Sequence, residues 1–316
     1  MKSKVLITGS AGFIFSNFIR QSFHTKQNYN IVSIDKVRKS HVLHNIYVNK
    51  NHEFYIGDVA DEHFMNVIFE AQRPQVVIHA AADTSKLENS LDLLKTNIIG
   101  TQIVIDACLK WGVKKLIYIS SANVYGSQKT DYDPLFIEEY PLNPTTQYGV
   151  SKVSAENLIK SAHYTKGLQY VIARLSNNYG PWQTKERFIP NIIKNIINNT
   201  KTQLYGDGMH LREWTHVYDT CNALFKIINE CEMNTEYNIS SNHEFTNLEV
   251  FQRVCNALGR GHDLLEFIED KVGNSYRHSI DNSKLKGLGW APEYKFNNGV
   301  SETLQWYLNN PWILKL

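Results

Sequence analysis

The sequence predicts an α/β protein, built as a doubly wound parallel sheet with a smaller mixed α/β domain. Two observations carry this. Short apolar runs alternate with longer amphipathic stretches through the first half of the chain, the pattern of strands buried on both faces and joined by crossover helices. The first of those runs ends in a glycine-rich turn that opens a helix, and the later runs also end in residues rich in chemistry. Ligands collect at the carboxyl ends of the strands in such sheets.

The elements follow in order. Lys4-Val5-Leu6-Ile7-Thr8 reads as a buried strand, followed by Gly9-Ser10-Ala11-Gly12-Phe13-Ile14-Phe15 and an apolar-periodic helix through Ile19. Ile31-Val32-Ser33-Ile34 is a second strand ending in Asp35. Glu53-Phe54-Tyr55-Ile56 is a third, leading to Gly57-Asp58, and Val76-Val77-Ile78-His79 a fourth, leading to Ala80, Ala81 and Ala82. The segment 96–101 lies in or opens a long helix to about Lys110. Leu116-Ile117-Tyr118-Ile119 and Tyr170-Val171-Ile172-Ala173-Arg174 are further strands. Asn178-Tyr179-Gly180-Pro181 breaks the alternation with turn residues. A helix over about 189–199 follows, Tyr237-Asn238-Ile239 reads as a strand returning to the sheet, and helices near 247–258 and 298–308 fall to the smaller domain. The expected division is 1–175 with a return at about 217–240 for the larger domain, and 176–216 with 241–316 for the smaller, substrate-binding one.

Composition narrows the class. A chain of 316 residues buries a large core, and 42% hydrophobic with 20% charged residues is ordinary for a globular protein. The formal charge of +2 gives no case for nucleic acid or a membrane surface as partner. The longest apolar runs are too short to span a bilayer. A strand beginning at residue 4 leaves no room for a signal peptide, so the expected location is cytoplasmic. Cys108, Cys221, Cys231 and Cys255 show no C-x-x-C spacing; reduced thiols are expected, with neither disulfide framework nor metal site.

The glycine turn carries the first chemistry. Glycines between strand and helix let the backbone approach a pyrophosphate, which then sits at the positive helix N-terminus. Asp35, ending the next strand, can accept hydrogen bonds from a ribose 2′-hydroxyl and repel a 2′-phosphate. Strand, glycine turn, helix, strand and acid in this order read as a Rossmann-type site for NAD rather than NADP, a preference tempered by Lys36 and Arg38. Gly9, Gly12, Phe13, Ile14, Asp35 and Lys36 are its first candidate residues.

Tyr148 and Lys152 supply the second. They stand four apart in Gln147-Tyr148-Gly149-Val150-Ser151-Lys152, on one helical face. An ammonium one turn from a phenol favours the phenolate, so Tyr148 is expected to take a proton near neutral pH. Ser121 lies 27 residues upstream in Ile119-Ser120-Ser121-Ala122-Asn123-Val124-Tyr125-Gly126 and can hold a substrate hydroxyl beside the phenol. With a hydride acceptor close by, this is equipment for oxidising an alcohol.

On these residues the chain resembles an extended short-chain dehydrogenase/reductase acting on nucleotide sugars. Later segments resemble the dTDP-glucose 4,6-dehydratase branch most. They are Arg174-Leu175-Ser176-Asn177-Asn178-Tyr179-Gly180-Pro181, Arg187-Phe188-Ile189-Pro190, Leu204-Tyr205-Gly206-Asp207-Gly208, Arg212-Glu213-Trp214, Val217-Tyr218-Asp219, Arg277-His278-Ser279-Ile280-Asp281, Leu288-Gly289-Trp290 and Gln305-Trp306-Tyr307. The resemblance implies that Asp58 and Val59 meet the adenine, that Ala80 to Ala82 line the cofactor, and that Asn97 supports the site. It implies that Asn178 touches the sugar or its phosphates, that Tyr205 stacks on the base, and that Arg212 and Arg277 clamp the diphosphate as guanidinium forks. Thr84, Ser121, Ala122, Asn123, Arg187, Phe188, Ile189 and Asn247 complete the substrate-side candidates. A dTDP- or UDP-hexose is the implied ligand, and a homodimer through helices near 97–110 and 145–162 the implied assembly.

The chain departs from that branch in three places. The branch carries Thr-Asp-Glu before Val-Tyr-Gly, its two carboxyl groups serving the elimination as acid and base; here the positions read Ser121-Ala122-Asn123. Ala122 cannot donate a proton and Asn123 cannot act as a carboxylate base, a pattern closer to the nucleotide-sugar 4-epimerases. After the alanines the chain reads Asp83-Thr84-Ser85-Lys86-Leu87-Glu88, which alters the sugar pocket. Asp83, Lys86, Glu88 and Glu186 stand as candidates for the missing acid or base, against the blander reading of solvated charges. Phe15 occupies the third glycine position, which predicts a shifted first helix or a rotated Phe15, with altered NAD retention. Three readings stand: a dehydratase-branch enzyme, a 4-epimerase, and a non-catalytic NAD or nucleotide-sugar binder on the same fold.

Overall fold

The computed structural model describes residues 3–25, 27, 29–37, 40–84, 90–270 and 273–315. Arg38, Lys86 and Glu88 lie outside them. Seven parallel strands form the large sheet: β1 (Ser3–Thr8), β2 (Tyr29–Asp35), β3 (His52–Ile56), β4 (Val76–His79), β5 (Lys115–Ser121), β6 (Tyr170–Leu175) and β10 (Thr235–Ile239), in the order β10-β6-β5-β4-β1-β2-β3. The chain winds outward from β1 in one direction to β3, then returns to lay β4 on the other side of β1. The crevice where the direction changes lies beyond Thr8 and His79, which are in register, and that is where such sheets bind dinucleotides.

Strand alternation builds two cores. Val5 and Ile7 of β1 point to the face covered by α1 (Phe13–His24) and α7 (Val217–Glu230). Leu6, between them, points to the face covered by α2 (Glu62–Gln72), α4 (Gly100–Lys110) and α5 (Gln147–Lys166). The period of two along a strand makes that division. Phe15 does not lie in solvent: it is 3% exposed, part of the α1–α7 core, with its ring 5.6 Å from that of Phe18. Helix α1 begins at Phe13 with Gly12 as N-cap, so the bulky substitute is turned inward from a helix that starts directly after the turn.

The remaining elements form smaller sheets and a third core. β9 (Leu211–His216) pairs with β7 (Asn177–Tyr179), β11 (Glu244–Thr246) and β13 (Arg277–His278), while β8 (Thr202–Tyr205) pairs with β12 (Leu265–Ile268). Apolar side chains of α6 (Phe188–Ile197), α8 (Asn247–Ala257) and α10 (Phe296–Asn309) pack over them. Helix α8 is opened by a reciprocal capping box between Thr246 and Glu249. Of two short helices, α9 (Ser283–Gly287) packs beside β10 with Leu285 in the first core, and α11 (Trp312–Lys315) adds Ile313 and Leu314 to the third. Among the described residues no helix is long and apolar enough to cross a membrane. The four cysteines are free thiols.

Candidate active site

The glycine turn is shaped for close approach. Gly9 has φ +70°, and a Cβ there would stand 2.7 Å from the Ala81 backbone. Its N–H donates to Ile34 O at 2.8 Å, fastening the turn to β2. No side chain caps the first turn of α1, and no acidic residue lies in it, so no side chain of the helix itself competes for its free N–H groups. Asp35 accepts from Ala11 N–H at 3.0 Å and Val37 N–H at 2.9 Å. Burial, more than those bonds, decides its titration and raises its pKa. Lys36 pairs with Asp58, so this lysine is directed to the neighbouring strand end rather than to Asp35. Ala80 and Ala81 donate their N–H groups to Thr8 Oγ1 at 3.2 Å each. That hydroxyl also bonds His79 Nδ1 at 2.7 Å, and the other ring nitrogen meets Thr101 Oγ1 at 2.9 Å. Val59 is buried, its side chain lying against Gly100. A bare backbone cradle at a helix N-terminus, with a carboxylate at the end of the adjacent strand, fits a dinucleotide. Phe13 and Ile14 start the helix and are partly buried on the first core.

Helix α5 sets the second half of the site. Thr146 caps it by accepting from Gly149 N–H at 3.0 Å. A Cβ on Gly149 would stand 2.7 Å from Asn123 O, so the first turn lies directly against the segment after Ser121. Lys152 is 2% exposed. Its Nζ donates to Ile119 O at 2.7 Å and lies 4.7 Å from the Tyr118 ring centre and 5.8 Å from that of Tyr148. Ser121 Oγ accepts from Asn123 N–H at 3.2 Å, and Ala122 is buried beside it. Asn97, buried in a π-helical turn (Lys95–Ile99) between α3 (Ser90–Leu94) and α4, exchanges hydrogen bonds with the backbone of Asp83 at 2.7 and 3.1 Å and donates to Ser151 Oγ at 2.9 Å. It therefore ties the segment after Ala82 to α5. Single π turns of this kind recur at functional sites.

The electrostatics correct one expectation. Burial pushes the Tyr148 phenol up to about 12, opposed only by the charge of Arg187. Burial also pushes Lys152 down to about 7, opposed by Glu156. Adjacency on the helix was expected to make the phenol acidic. In the protein alone desolvation opposes adjacency: Lys152 is fully buried, and Tyr148, though partly open to solvent at its surface, is packed closely enough for burial to set the direction.

The substrate-side candidates divide. Arg187, at the N-cap of α6, donates to Thr84 Oγ1 at 2.8 Å; both are exposed, and the charge of Arg187 reaches Tyr148. Phe188 stacks on Trp214 with centres 5.7 Å apart. Ile189 is fully buried in the third core, so its side chain is not available to a ligand, contrary to expectation; the helical phase of α6 turns it inward. Asn178 spends its amide inside the protein, accepting from Thr220 Oγ1 at 2.5 Å and donating to Ser176 O at 2.9 Å. Tyr205 ends β8, partly exposed, in register with Ile268. Asn247 opens α8, its N–H on His210 O at 3.1 Å. Arg212 is partly buried, bonding Leu211 O, Tyr276 O and Asn274 Oδ1 at 2.7, 3.0 and 3.2 Å.

Arg277 does not fit the expected clamp. It is 5% exposed, pairs through Nε and Nη2 with the Glu244 carboxylate, and donates Nη1 to Thr130 O and Asp133 O. All three nitrogens are spent on neighbouring segments, because β13 places this side chain against β11 rather than in the cleft.

Sequence reasoning missed the layer beneath the site. Glu156, fully buried, accepts from Arg174 and Ser120. Arg174 also reaches Tyr125 OH at 2.7 Å, and Tyr125 bonds Asn238 Oδ1 at 2.9 Å. The available signal was spacing: Glu156 stands four residues beyond Lys152, hence on its face of the helix.

A profile of the NAD dependent epimerase/dehydratase family matches residues 5–240. The chain belongs to that family. It is 35% identical over 314 residues to the low-salt glycan biosynthesis protein Agl12 of Haloferax volcanii, with 97% of this chain and 99% of that protein covered. Among solved structures it resembles the dTDP-glucose 4,6-dehydratase of Bacillus anthracis in complex with NAD (TM-score 0.91, 32% identity, 99% of each chain). It also resembles the UDP-glucose 4-epimerase of Thermotoga maritima with UDP-glucose (TM-score 0.89, 26% identity, 98% and 99% covered). Family members of both reaction types thus share this fold over its whole length, and NAD is the family's cofactor.

Proposed function

We propose that this chain oxidises the C4 hydroxyl of a dTDP- or UDP-hexose as the opening step of a 4,6-dehydratase-type reaction. The observation that carries the reading is the convergence of Tyr148, Lys152 and Ser121 at the carboxyl end of β5, two strands from the glycine turn. Ser121 orients the C4 hydroxyl and Tyr148 takes its proton. Lys152, fixed on the Ile119 carbonyl, holds the helix turn that presents the phenol. NAD, when bound, would supply a reversible hydride acceptor beside C4. Gly9, Gly12 and the first turn of α1 would hold its pyrophosphate, and Asp35 its ribose. Arg187 and Arg212 would meet the phosphates and sugar in this reading. Likeness along the full chain to dTDP-glucose 4,6-dehydratases supports the elimination outcome, in which the C5 proton and C6 hydroxyl leave as water.

One observation favours a second reading. Ala122 is a buried methyl and Asn123 an amide, so neither position supplies an acid or base for elimination. A 4-epimerase needs only oxidation and re-reduction at C4. Product analysis by NMR decides: the purified protein is incubated with NAD in deuterated buffer with dTDP-glucose and with UDP-glucose. A 4-keto-6-deoxy sugar carrying deuterium at C5 supports the first reading, and a galactose-configured product the second. Neither product across a panel of dTDP- and UDP-hexoses overturns C4 oxidation.

A further inference from the structure

We propose that Glu156 is a positioning residue for this site: its buried carboxylate aligns Lys152 with the strand end that carries Ser121. The inference rests on the reading of Tyr148, Lys152 and Ser121 as a redox centre and names what holds them in place. Ser120 and Arg174 are direct partners across β5 and β6, so their side chains rise from the same face of the sheet toward α5. Both end on Glu156. Ser120 Oγ donates to Oε1 at 2.6 Å, Arg174 Nε to Oε1 at 3.2 Å and Nη2 to Oε2 at 2.7 Å. Ser120 stands between Ile119, whose carbonyl receives Lys152 Nζ, and Ser121. One carboxylate therefore fixes both the acceptor of the lysine and the residue next to the serine. Arg174 extends the hold to the loop after Ser121 through Tyr125 OH and Glu138 O, at 2.7 and 2.8 Å.

The pair is an expensive way to join a strand to a helix. Arg174 is 1% exposed and Glu156 not at all, and a buried ion pair often gives no more stability than apolar residues of the same volume. Its value here is geometric and electrostatic. The groups that face Lys152 are Tyr148 and Glu156 on α5, the Tyr118 ring on β5 and His79 on β4. His79 is buried and neutral. Among the described residues Glu156 supplies the charge that favours the ammonium against burial.

The test reads Lys152 directly. Its side-chain resonance in NAD-free protein, assigned by its loss in Lys152→Met, is titrated by carbon-13 NMR. In Glu156→Gln/Arg174→Gln, which leaves no lone buried charge, the midpoint is expected to fall by about one pH unit. In Ser120→Ala, which keeps both charges, the midpoint is expected to stay while kcat drops about tenfold at constant KM, with recovery in Ser120→Thr. An unmoved midpoint in the folded double variant overturns the proposal. Should the double variant not fold, wild-type kcat in Ser120→Ala overturns it. The titration needs no substrate, so it stands apart from any failure to turn over nucleotide sugars.

Discussion

Lys152 Nζ bonds the Ile119 carbonyl at 2.7 Å, while the centre of the Tyr148 ring lies 5.8 Å away. The lysine is thus anchored to the end of β5, and Tyr148 is left in a site where burial pushes its phenol up to about 12. In NAD-free protein, an ultraviolet difference titration of wild type against Tyr148→Phe is expected to show no ionisation of this tyrosine below about pH 10. Adding NAD brings a cationic ring and is expected to lower the midpoint. A phenolate near neutral pH without NAD contradicts the dominance of burial. The same variant is expected to lose about a thousandfold in kcat with its fold intact.

The two arginines should separate in their effects. Arg277 is locked between Glu244 and two carbonyls, so Arg277→Ala strands a partly buried carboxylate and is expected to cost about 3 kcal/mol of stability. Among the described residues Arg212 donates through two of its nitrogens, and Arg212→Ala is expected to raise KM for the nucleotide sugar about tenfold or more, with a smaller loss of stability. Thermal unfolding beside steady-state kinetics checks both. A larger KM effect for Arg277 than for Arg212 reverses the assignment.

Gly9 and Gly112 provide a matched pair. Both have positive φ, +70° and +67°, but a Cβ at Gly9 meets the Ala81 backbone at 2.7 Å while one at Gly112 meets nothing within 4 Å. Gly112→Ala is expected to cost about 1 kcal/mol, the backbone strain alone. Gly9→Ala adds a backbone clash and is expected to cost more than about 2 kcal/mol and to weaken NAD binding. Urea unfolding and NAD titration of the two variants measure the difference; equal costs would show that the turn relaxes.

Acid should destabilise the fold through its buried imidazoles. Burial lowers His79 and His216 from 6.5 to about 3 each, and both are at most 1% exposed. Between those values the unfolded chain holds a proton that the folded chain refuses. The contribution of these two imidazoles is therefore full above about pH 6.5 and falls as pH drops toward 3, by up to about 1.4 kcal/mol per pH unit for each, while the buried carboxyls of Glu213 and Asp219, raised to about 8 and about 6, act in the opposite direction. The difference in urea midpoint between wild type and His79→Asn at pH 7, 6 and 5 isolates the His79 part of this loss. The slope is expected to shrink in His79→Asn, and an unchanged slope removes His79 from the account.

The sequence by itself determined the wound sheet, and pointed to the glycine turn with Asp35 and to Tyr148, Lys152 and Ser121 as a candidate site. These are local signals: apolar runs of strand length, glycines between strand and helix, and two side chains one helical turn apart. It also showed that Ala122 and Asn123 lack the carboxyl groups of elimination, since residue type alone limits proton transfer. Only the tertiary structure decided how the charged groups are spent. Arg277 was legible as a guanidinium but not as the partner of Glu244, because their contact depends on β11 and β13 both flanking β9. Glu156 was visible four residues after Lys152, yet its bonds to Ser120 and Arg174 exist only because β5 and β6 pair in that register. The balance between burial and charge at Tyr148 and Lys152 likewise belongs to the fold, since desolvation is set by every element packed around a group and not by its neighbours in sequence.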